Sequence, residues 1–555
     1  MQTLPVISHE VGQYVVYPNV AEIPCYTGSL IPVNLQRIRD DLEQNNLLPY
    51  LNDFINSSGK MALYLYKMEI EAALRTRNMA GIQLLSLHDF PGQSTATVGI
   101  LDAFYTSKNI IATEAFRHFC CETVPLVMMP TLFYTSDDSF NAELQIAHYS
   151  ASALHQVTLR VQITNEKQHV IFTEDFAIDE VPVGLLKENL SLQVTPFRTL
   201  IGRQSLQVKA ELLNTPYQNQ WDIWVYGQEE PCSFPPSVTL CREWSPSVEE
   251  RLQKGEHVLL LPTPAQVKQL ASSTWFPVFW SPVHFASKDP CGMVINNQHP
   301  LFSRYFPCEN HATLEWKALL ENSFAMNIDS LEQCAPLTLL TPNFFHNHKN
   351  THLFECCVGE GRLMVCTFNL EVDSLISKPF QNALYNYLAS ADFTPEICLS
   401  MPEIRGLFTS SDPEKITRTD LAIGKPAQTD SMKSLNYGPL RGNDGNPSTA
   451  WIAADAEVGH YWQVDFESIL HITATQVVFN ENAVYTYVIQ HSRNGIDWDI
   501  AVNKTNQIVP QQTHDDEFSV NARFLRIIYQ GLSNGIWAGH RQFSAYGPEI
   551  TTQQI

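Results

Sequence analysis

A histidine and a glutamate end the first apolar segment of the chain. His9 and Glu10 follow the short strand pattern PVIS, and functional side chains of a parallel α/β barrel lie at the carboxyl ends of its strands. Retaining hydrolysis of a glycosidic bond needs two carboxylates about 5–5.5 Å apart, one as nucleophile and one as acid/base. Glu10 is placed to be one of these two. The alternative that stays open is a solvated glutamate in a loop.

Aromatic and polar residues accompany this glutamate and recur at the end of a second apolar strand. Gln13 and Tyr14 follow Glu10 closely, and His88 and Asp89 end the strand pattern GIQLLSL. A pyranose packs its apolar face on a ring and directs its hydroxyls to polar groups. We therefore expect these residues to bind substrate. The alternatives are that the rings belong to the core and that His88 and Asp89 form a structural hydrogen-bond network.

The sequence lacks the motifs for nucleotide binding and for structural zinc. It contains neither GxGxxG nor GxxxxGK[ST], so nucleotide binding has no support. The 12 cysteines include no CxxC pair, which argues against structural zinc. Most of them are expected to be buried free thiols, with an occasional disulfide as the alternative. Retaining hydrolysis by two carboxylates requires no cofactor.

Composition limits the classes of partner. The 555 residues are 44% hydrophobic and 17% charged, enough apolar material for the cores of three to five domains. A formal charge of -23 argues against binding to nucleic acid or anionic membranes. No apolar stretch approaches 18 residues, so no membrane insertion is expected. The residues after Met1 lack the pattern of a secretion signal.

The elements that must position these residues change type along the chain. Residues 1–125 alternate strand and helix, with helices predicted near 34–43 and 59–76, as in a parallel α/β sheet or barrel. Residues 126–229 show short segments of period 2 between turn residues, which predict a β-sandwich.

The second half of the chain repeats this change from mixed to all-β pattern. In residues 230–405 the buried strands EHVLLLPT and GRLMVCTFNL alternate with helical runs, which favours a doubly wound, Rossmann-like accessory module. Residues 406–555 are all-β, with turn signals at 443–445 and 493–495. The predicted fold class is multidomain α/β and all-β: a partial (β/α)8 barrel, a β-sandwich, a Rossmann-like module and a second β-sandwich.

Two motifs of the first segment point to a known family. PVISHEVGQYVVYPN and GIQLLSLHDFPGQSTATVGILDAFYTSK resemble the end of the catalytic barrel of glycoside hydrolase family 2, which includes β-galactosidase-like and β-glucuronidase-like enzymes. The resemblance places Glu10 at the nucleophile position of the seventh barrel strand, and His88 and Asp89 at the substrate-facing end of the eighth. It also implies that the sandwich is immunoglobulin-like and that residues 230–405 are an accessory domain of such proteins.

The same resemblance implies what the chain lacks. The acid/base of the family lies on the fourth barrel strand, and strands one to six would precede residue 1. We therefore expect the carboxyl-terminal part of a longer enzyme, inactive alone, with an upstream catalytic portion or a truncated reading frame. The wording HEVGQY departs from the usual β-galactosidase nucleophile loop. A pectin-directed α-galacturonidase of glycoside hydrolase family 138 therefore stays open beside galactoside or uronide substrates.

A second resemblance covers the last segment. GPLRGNDGNPSTAW, YWQVDF, YVIQHSRNGIDW, ARFLRIIYQG and FSAYG resemble, in order, the signatures of a coagulation factor V/VIII type C, or discoidin, domain. In bacterial enzymes this module binds carbohydrate, usually galactose-type sugars. The motif residues Trp451, Trp462 and Trp498 are expected to be mostly core.

The discoidin resemblance also implies candidate ligand and metal residues. Ligand contacts in this family come from loops at one end of the domain. The candidates in these loops are His460, Tyr485, Arg493 and Trp537.

Such domains often hold a structural calcium ion, for which Asp444, Ser448 and Thr449 fit. Gln542 stands where a glutamate is usual, and losing a carboxylate weakens a calcium site.

Three functional hypotheses follow from these residues and resemblances. The first is a bacterial exo-acting retaining glycosidase of polysaccharide degradation, with Glu10 as nucleophile. The second is a non-catalytic protein that binds oligo- or polysaccharide through the discoidin domain. The third is an adhesion protein that uses this domain for protein contacts. Because polymer substrates lie outside the cytoplasm, the full-length parent is expected in the periplasm or outside the cell.

Overall fold

The computed structural model of the chain describes ten stretches, which form two compact units, residues 1–410 and 411–555. The described residues are 6–77, 79–93, 95–184, 186–228, 232–275, 277–285, 289–409, 420–446, 449–533 and 535–547.

In its described residues, the first segment of unit 1 contains two strands and three α-helices. Strands β1 (Val6–Val11) and β2 (Met79–Leu84) pair in parallel as a two-stranded sheet. Between them lie helices α1 (Val33–Gln44) and α2 (Leu51–Arg75), and α3 (Thr113–Arg117) follows. The predicted partial barrel is not confirmed, because in the described part of this segment β1 and β2 pair only with each other.

Helix α2 begins eight residues before the predicted start. Gly59 lies inside it, where a Cβ atom would come within 2.4 Å of the Ile110 side chain. Residues on several faces of α2 are buried, including Phe54, Met61 and Tyr66. The helix is thus a core element of unit 1.

The second segment is a two-sheet β-sandwich. One sheet has the order β4-β10-β9-β6-β7 and the other β3-β5-β8, and alternate residues such as Leu144, Val161 and Val208 fill the space between them. The strands are β3 (Thr123–Met128), β4 (Phe133–Thr135), β5 (Phe140–His148), β6 (Leu154–Asn165), β7 (Val170–Val181), β8 (Leu186–Val194), β9 (Arg203–Leu212) and β10 (Gln218–Tyr226).

The third segment is built on a mixed five-stranded sheet of order β11-β12-β19-β18-β20. Its strands and helices are β11 (Val238–Cys241), α4 (Pro246–Gln253), β12 (His257–Leu260), β13 (Leu270–Ala271), α5 (Pro282–Phe285), β14 (Gly292–Ile295), α6 (Lys317–Glu321), β15 (Ala325–Asn327), β16 (Thr338–Thr341), β17 (Asn350–Thr351), β18 (Leu353–Val358), β19 (Gly361–Cys366), α7 (Ser377–Ala389), β20 (Cys398–Leu399) and α8 (Met401–Arg405).

The predicted Rossmann-like arrangement is not confirmed. Strands β11, β12 and β19 run in parallel, but β18 and β19 form an antiparallel hairpin. Gly359 in its tight turn has φ +62°, a conformation that glycine adopts without steric cost. A disulfide between Cys357 and Cys398 joins β18 to β20.

Unit 2 is all-β, with strand order β22-β27-β23-β26-β24-β25 and β21 paired to β23. Its core contains Trp451, Trp462 and Phe543, so the first two tryptophans are core as predicted, while Trp498 is half-buried. The strands are β21 (Ala427–Thr429), β22 (Trp451–Ile452), β23 (Tyr461–Ala483), β24 (Tyr485–Ser492), β25 (Asp499–Asn503), β26 (Gln511–Leu532) and β27 (Gly539–Tyr546).

Short helical turns complete both units. Within the ten described stretches, the 3-10 helices are Val20–Cys25, Leu48–Tyr50, Pro264–Gln266, Leu314–Trp316, Leu435–Tyr437 and Pro439–Gly442, and Leu301–Tyr305 is a π-helix. In the described part of the chain, no helix is both long and apolar enough to cross a membrane.

Candidate functional site

Glu10 lies on the surface at the end of β1. Its backbone is left-handed, with φ 57°, and its carboxylate is 3.5 Å from the imidazole of His9. His9 in turn bonds the side chain of Gln83 on β2 at 2.9 Å, and Gln13 donates to the carbonyl of Glu10 at 2.9 Å. The predicted residues His9, Glu10 and Gln13 therefore form one exposed cluster.

A second carboxylate reaches the same loop from helix α2. Glu69 accepts a hydrogen bond from the hydroxyl of Tyr14 and one from the backbone N–H of Gly12 at 2.9 Å. Burial and the Glu69 carboxylate raise the pKa of Tyr14 far above its ordinary value, so this hydroxyl stays a donor. The sequence did not indicate Glu69, since a glutamate on an amphipathic helix carries no signal of its own.

Asp89 does not face a substrate, contrary to expectation. It is buried and accepts hydrogen bonds from Lys108 Nζ at 2.7 Å and from the N–H of Gly99 at 2.8 Å. The ammonium of Lys108 is equally buried. Asp89 therefore belongs to a structural ion pair, because its side chain turns into the protein where the strand ends.

His88 is half-buried and takes part in a local cluster. Its Nδ1 lies 2.8 Å from the hydroxyl of Ser86, and its ring stacks on Tyr105 with centroids 4.6 Å apart. These contacts account for the orientation of the ring.

In unit 2 the strand registers show which candidates share an end of the sandwich. Tyr529 donates its backbone N–H to the carbonyl of His460, and Ala453 donates to the carbonyl of Ala538, next to Trp537. His460 and Trp537 therefore lie at the end where β26 finishes and β27 begins. Arg493 follows Ser492, which pairs with Phe524, and this places Arg493 at the opposite end.

His460 is held between two carboxylates. Its Nδ1 donates to Asp430 at 2.5 Å and its Nε2 to Asp455 at 2.9 Å. Burial lowers the pKa of His460, but the bonds to Asp455 and Asp430 outweigh this effect and raise the pKa above its ordinary value. Both ring nitrogens therefore face carboxylate acceptors, and each aspartate keeps free lone pairs for other donors.

The side chain of Lys433 makes a cation–π contact with the ring of Trp537. The ammonium of Lys433 lies 4.7 Å from the centroid of Trp537 and 5.7 Å from that of Tyr437. The backbone N–H of Lys433 bonds the carbonyl of Ile452 at 2.9 Å, which fixes this loop beside β22. We call the surface formed by Asp430, Lys433, Tyr437, Asp455, His460 and Trp537 the His460–Trp537 end.

Tyr485 is a core residue, and its prediction as a ligand contact was wrong. It is fully buried and stacks on Phe479 with centroids 4.1 Å apart. Its position as the first residue of β24 suggested a loop, but the register with Leu532 turns its ring inward.

The predicted calcium residues form a hydrogen-bonded turn. Thr449 donates its hydroxyl to Asp444 at 2.8 Å, and the guanidinium of Arg441 is 3.4 Å from the same carboxylate. The side-chain oxygen of Gln542 accepts from the N–H of Gly445 at 3.0 Å. Ser448 lies outside the described residues.

This donor set does not fit calcium, which prefers six to eight hard oxygens with several carboxylates. Asp444 is the one carboxylate among these residues, and Arg441 opposes its charge. Among the described residues no cluster of three histidine, cysteine, aspartate or glutamate side chains could hold a metal ion.

Three family models match parts of the chain. Residues 426–546 match the F5/8 type C domain, residues 138–227 match a domain of unknown function (DUF8488), and residues 239–409 match a domain of unknown function (DUF8487). No curated protein matches the chain.

Solved structures similar to the chain cover about a quarter of it. Chitosan-binding module 2 from the chitosanase/glucanase of Paenibacillus sp. IK-5, in complex with chitotriose, is 22% identical and covers 23% of this chain and 100% of that chain, with a TM-score of 0.22. CpGH89CBM32-4 of Clostridium perfringens, in complex with GlcNAc-α-1,4-galactose, is 12% identical and covers 24% and 99%, with a TM-score of 0.22. The family 89 glycoside hydrolase of Clostridium perfringens is 21% identical and covers 24% and 16%, with a TM-score of 0.22.

The carboxyl-terminal unit thus contains an F5/8 type C, or discoidin, domain, as predicted. The glycoside hydrolase family 2 resemblance of the first segment is not shown by these comparisons.

Sequence reasoning found His460 and Trp537 but missed their partners Asp430, Lys433 and Asp455. Asp430 precedes His460 by 30 residues, and the register of β21 with β23 brings the two together. No pattern within the loop itself indicates this contact.

Proposed function

We propose that this protein binds carbohydrate through the His460–Trp537 end of its discoidin domain. The proposal rests on one observation. An aromatic pair and a cluster of charged hydrogen-bond donors and acceptors lie together at one end of an F5/8 type C domain. Tyr437 and Trp537 supply rings beside Lys433, and His460 holds Asp430 and Asp455 in place.

The chemistry of this end suits a sugar. The apolar face of a pyranose packs on aromatic rings, and its hydroxyl groups donate to carboxylates and accept from ammonium groups. Lys433 and the protonated form of His460 offset the charges of the two aspartates, so this form of the end attracts neither strong anions nor strong cations. This favours a neutral or singly charged oligosaccharide.

The first ligands to test are galactose, chitotriose and GlcNAc-α-1,4-galactose. The last two occupy the similar solved structures from Paenibacillus and Clostridium, and galactose-type sugars are implied by the resemblance of the sequence. Binding would be measured by isothermal titration calorimetry on the full chain.

The variant Trp537→Ala removes the ring, and Arg493→Ala at the opposite end is its matched control. We expect Trp537→Ala to weaken binding by about 30-fold, as for other anchoring aromatic residues, and Arg493→Ala to leave it unchanged. Equal loss in both variants, or no binding of any of these sugars, would overturn the proposal. The latter result would favour the adhesion hypothesis.

The hydrolase is a second candidate function, supported by one feature of unit 1. Glu10 and Glu69 both lie at the loop of residues 10–14, and retaining hydrolysis requires two carboxylates at one site. On this hypothesis Glu10 is the nucleophile, and the substrate is a galactoside, a uronide or a pectin galacturonide.

Turnover by this chain alone is not expected, because the barrel is not confirmed. The test is release of aryl group from aryl galactosides and uronides by the chain and by Glu10→Gln. Activity that survives this substitution would remove Glu10 from the nucleophile role.

We further propose that the protein works in the periplasm or outside the cell. Polysaccharides occur there, and the disulfide between Cys357 and Cys398 is stable in oxidising compartments.

A further inference from the structure

Unit 1 contains a cleft that the proposed function does not use. Two cavities of about 310 and 640 Å³ meet where helix α2, strand β10 and the 3-10 helix Leu314–Trp316 come together. They share the lining residues Tyr64, Lys67, Gln220, Asp222 and Leu314. Volumes in this range accommodate small molecules.

The cleft has hydrogen-bond donors without acceptors. Trp275 lines the smaller cavity and is 5% exposed, and its indole N–H has no partner among the described residues. Arg75 lines the larger cavity, and its Nε also has no partner in the described part of the chain. A buried donor without an acceptor is costly, and both donors belong to side chains that line the cleft.

Positive charge exceeds negative charge on the cleft walls. Lys60, Lys67 and Arg75 line the cleft together with the carboxylates of Glu71 and Asp222. This net positive charge is local, because the whole chain carries a formal charge of -23. The ligand that such a wall selects carries a single negative charge.

The carboxylate of Glu71 already accepts hydrogen bonds from four side chains. Glu71 accepts from Lys67, from Arg75 at 2.9 Å, and from Asn219 at 2.8 Å and Trp221 at 3.0 Å. Asp222 is reached by solvent on the cleft wall, and the surrounding protein raises its pKa by desolvation. Among the described residues that line the cleft, Asp222 is therefore the acidic group that would oppose an anion.

Lys67 is the cation best placed for a ligand. Its ammonium lies 4.3 Å from the ring centroid of Trp221, and burial lowers its pKa to about 8 in spite of Glu71. A lysine at this pKa is still charged near neutral pH. The rings of Tyr64 and Trp275 meet edge to face at 5.9 Å, which provides an apolar surface beside this charge.

We propose that this cleft is a second binding site, for a sugar ring that carries a carboxylate, a uronic acid. The carboxylate lies toward Lys67 and Arg75, the indole N–H of Trp275 donates to a ring or hydroxyl oxygen, and the aromatic surface packs on the pyranose. The site is independent of the discoidin domain.

The test is calorimetric titration at pH 7 with D-galacturonate and D-glucuronate, on the full chain and on its Trp537→Ala variant. D-galactose is the neutral control in Trp537→Ala, because its proposed site at the His460–Trp537 end is weakened there. Trp275→Phe keeps an aromatic ring but removes the N–H, and we expect it to weaken uronate binding about tenfold. Asp222→Asn removes the opposing charge from an exposed position and should strengthen uronate binding by about threefold. Circular dichroism checks that both variants fold.

The variant Trp537→Ala separates the two sites. Uronate binding that is unchanged in Trp537→Ala, weakened in Trp275→Phe and strengthened in Asp222→Asn supports the cleft. The inference is overturned by absence of saturable uronate binding, by equal affinity of Trp537→Ala for uronates and for D-galactose, or by loss of uronate binding in Trp537→Ala alone. The first two results leave sugar binding at the His460–Trp537 end untouched, and the third would assign uronate binding to that end.

Discussion

The guanidinium of Arg203 donates to both carboxylate oxygens of Glu315, at 2.5 and 2.6 Å. Arg203 is the first residue of β9 in the sandwich, and Glu315 lies in the 3-10 helix before α6 of the third segment. Tyr226 donates its hydroxyl to the same carboxylate at 2.8 Å, and Arg203 also lies over the ring of Phe306. The sandwich and the third segment are therefore joined by a buried ion pair.

Breaking this pair should destabilise unit 1 strongly. Glu315 is 1% exposed and Arg203 10%, so Glu315→Ala leaves a buried guanidinium without its counter-ion. Loss of one partner of a buried pair costs about 3–5 kcal/mol. Chemical denaturation of the full chain would measure this change.

The matched control is Glu371→Ala. Glu371 pairs with Arg242 on the surface, where both side chains are more than half exposed. Exposed pairs contribute about 0–1 kcal/mol. If both variants lose the same small amount of stability, the Arg203–Glu315 contact does not hold the sandwich to the third segment.

Unit 2 should lose stability as the pH rises above neutral. Burial lowers the pKa of His460 in the folded domain, but hydrogen bonds to Asp455 and Asp430 outweigh burial and raise it. Because the pKa of His460 is higher in the folded than in the unfolded state, protonation of His460 stabilises the fold. This stabilisation is fully present below the unfolded pKa of about 6.5 and is lost as the pH rises through the folded pKa. The measurement is the melting temperature of unit 2 between pH 5 and 9.

In His460→Gln this part of the pH dependence should disappear, because glutamine does not titrate. A melting profile that keeps the same slope above pH 6.5 in the variant would assign the effect to other groups.

Reduction of the disulfide should destabilise the third segment. Cys357 and Cys398 are 41 residues apart in sequence, and a cross-link that closes a loop of this length contributes about 3–4 kcal/mol by restricting the unfolded chain. We expect the double variant Cys357→Ser, Cys398→Ser to lose this amount in a urea titration. Cys25→Ser, at an exposed free thiol, serves as the control and should match the parent.

Calcium should leave the melting temperature of unit 2 unchanged. Asp444 is already bonded to Thr449 and lies near Arg441, and Gln542 brings no charge. The variant Gln542→Glu restores a carboxylate next to the turn of Gly445, so calcium should raise the melting temperature of this variant alone. A calcium-dependent increase in the parent chain would show that the donor set is sufficient without Glu.

The discoidin domain could be predicted because its signal is local and dense. Trp451, Trp462 and the strand patterns around them define a fold by residue types at short spacing, and the structure buries both rings. The His460–Trp537 end could be predicted only in part. The contact of His460 with Asp430 depends on the pairing of β21 with β23, which joins residues that are distant in sequence.

Side-chain direction accounts for the two wrong site residues. Asp89 and Tyr485 both stand next to strand ends, where sequence alone suggests exposure, yet both are buried. In each case a contact inside the protein accounts for the burial. Asp89 pairs with Lys108, and Tyr485 stacks on Phe479. The barrel could not be predicted reliably for a similar reason. Two apolar strands with helices between them are equally typical of a small parallel pair.

Helix α2 has a consequence for how this protein could be inherited. The helix bonds Asn219 and Trp221 of the sandwich through Glu71, and Thr341 of the third segment donates to the hydroxyl of Ser57 on the same helix. A recombination event between codons 125 and 126 would separate Glu71 from Asn219 and Trp221 and uncover apolar residues of α2. The first segment is therefore expected to be inherited together with the sandwich.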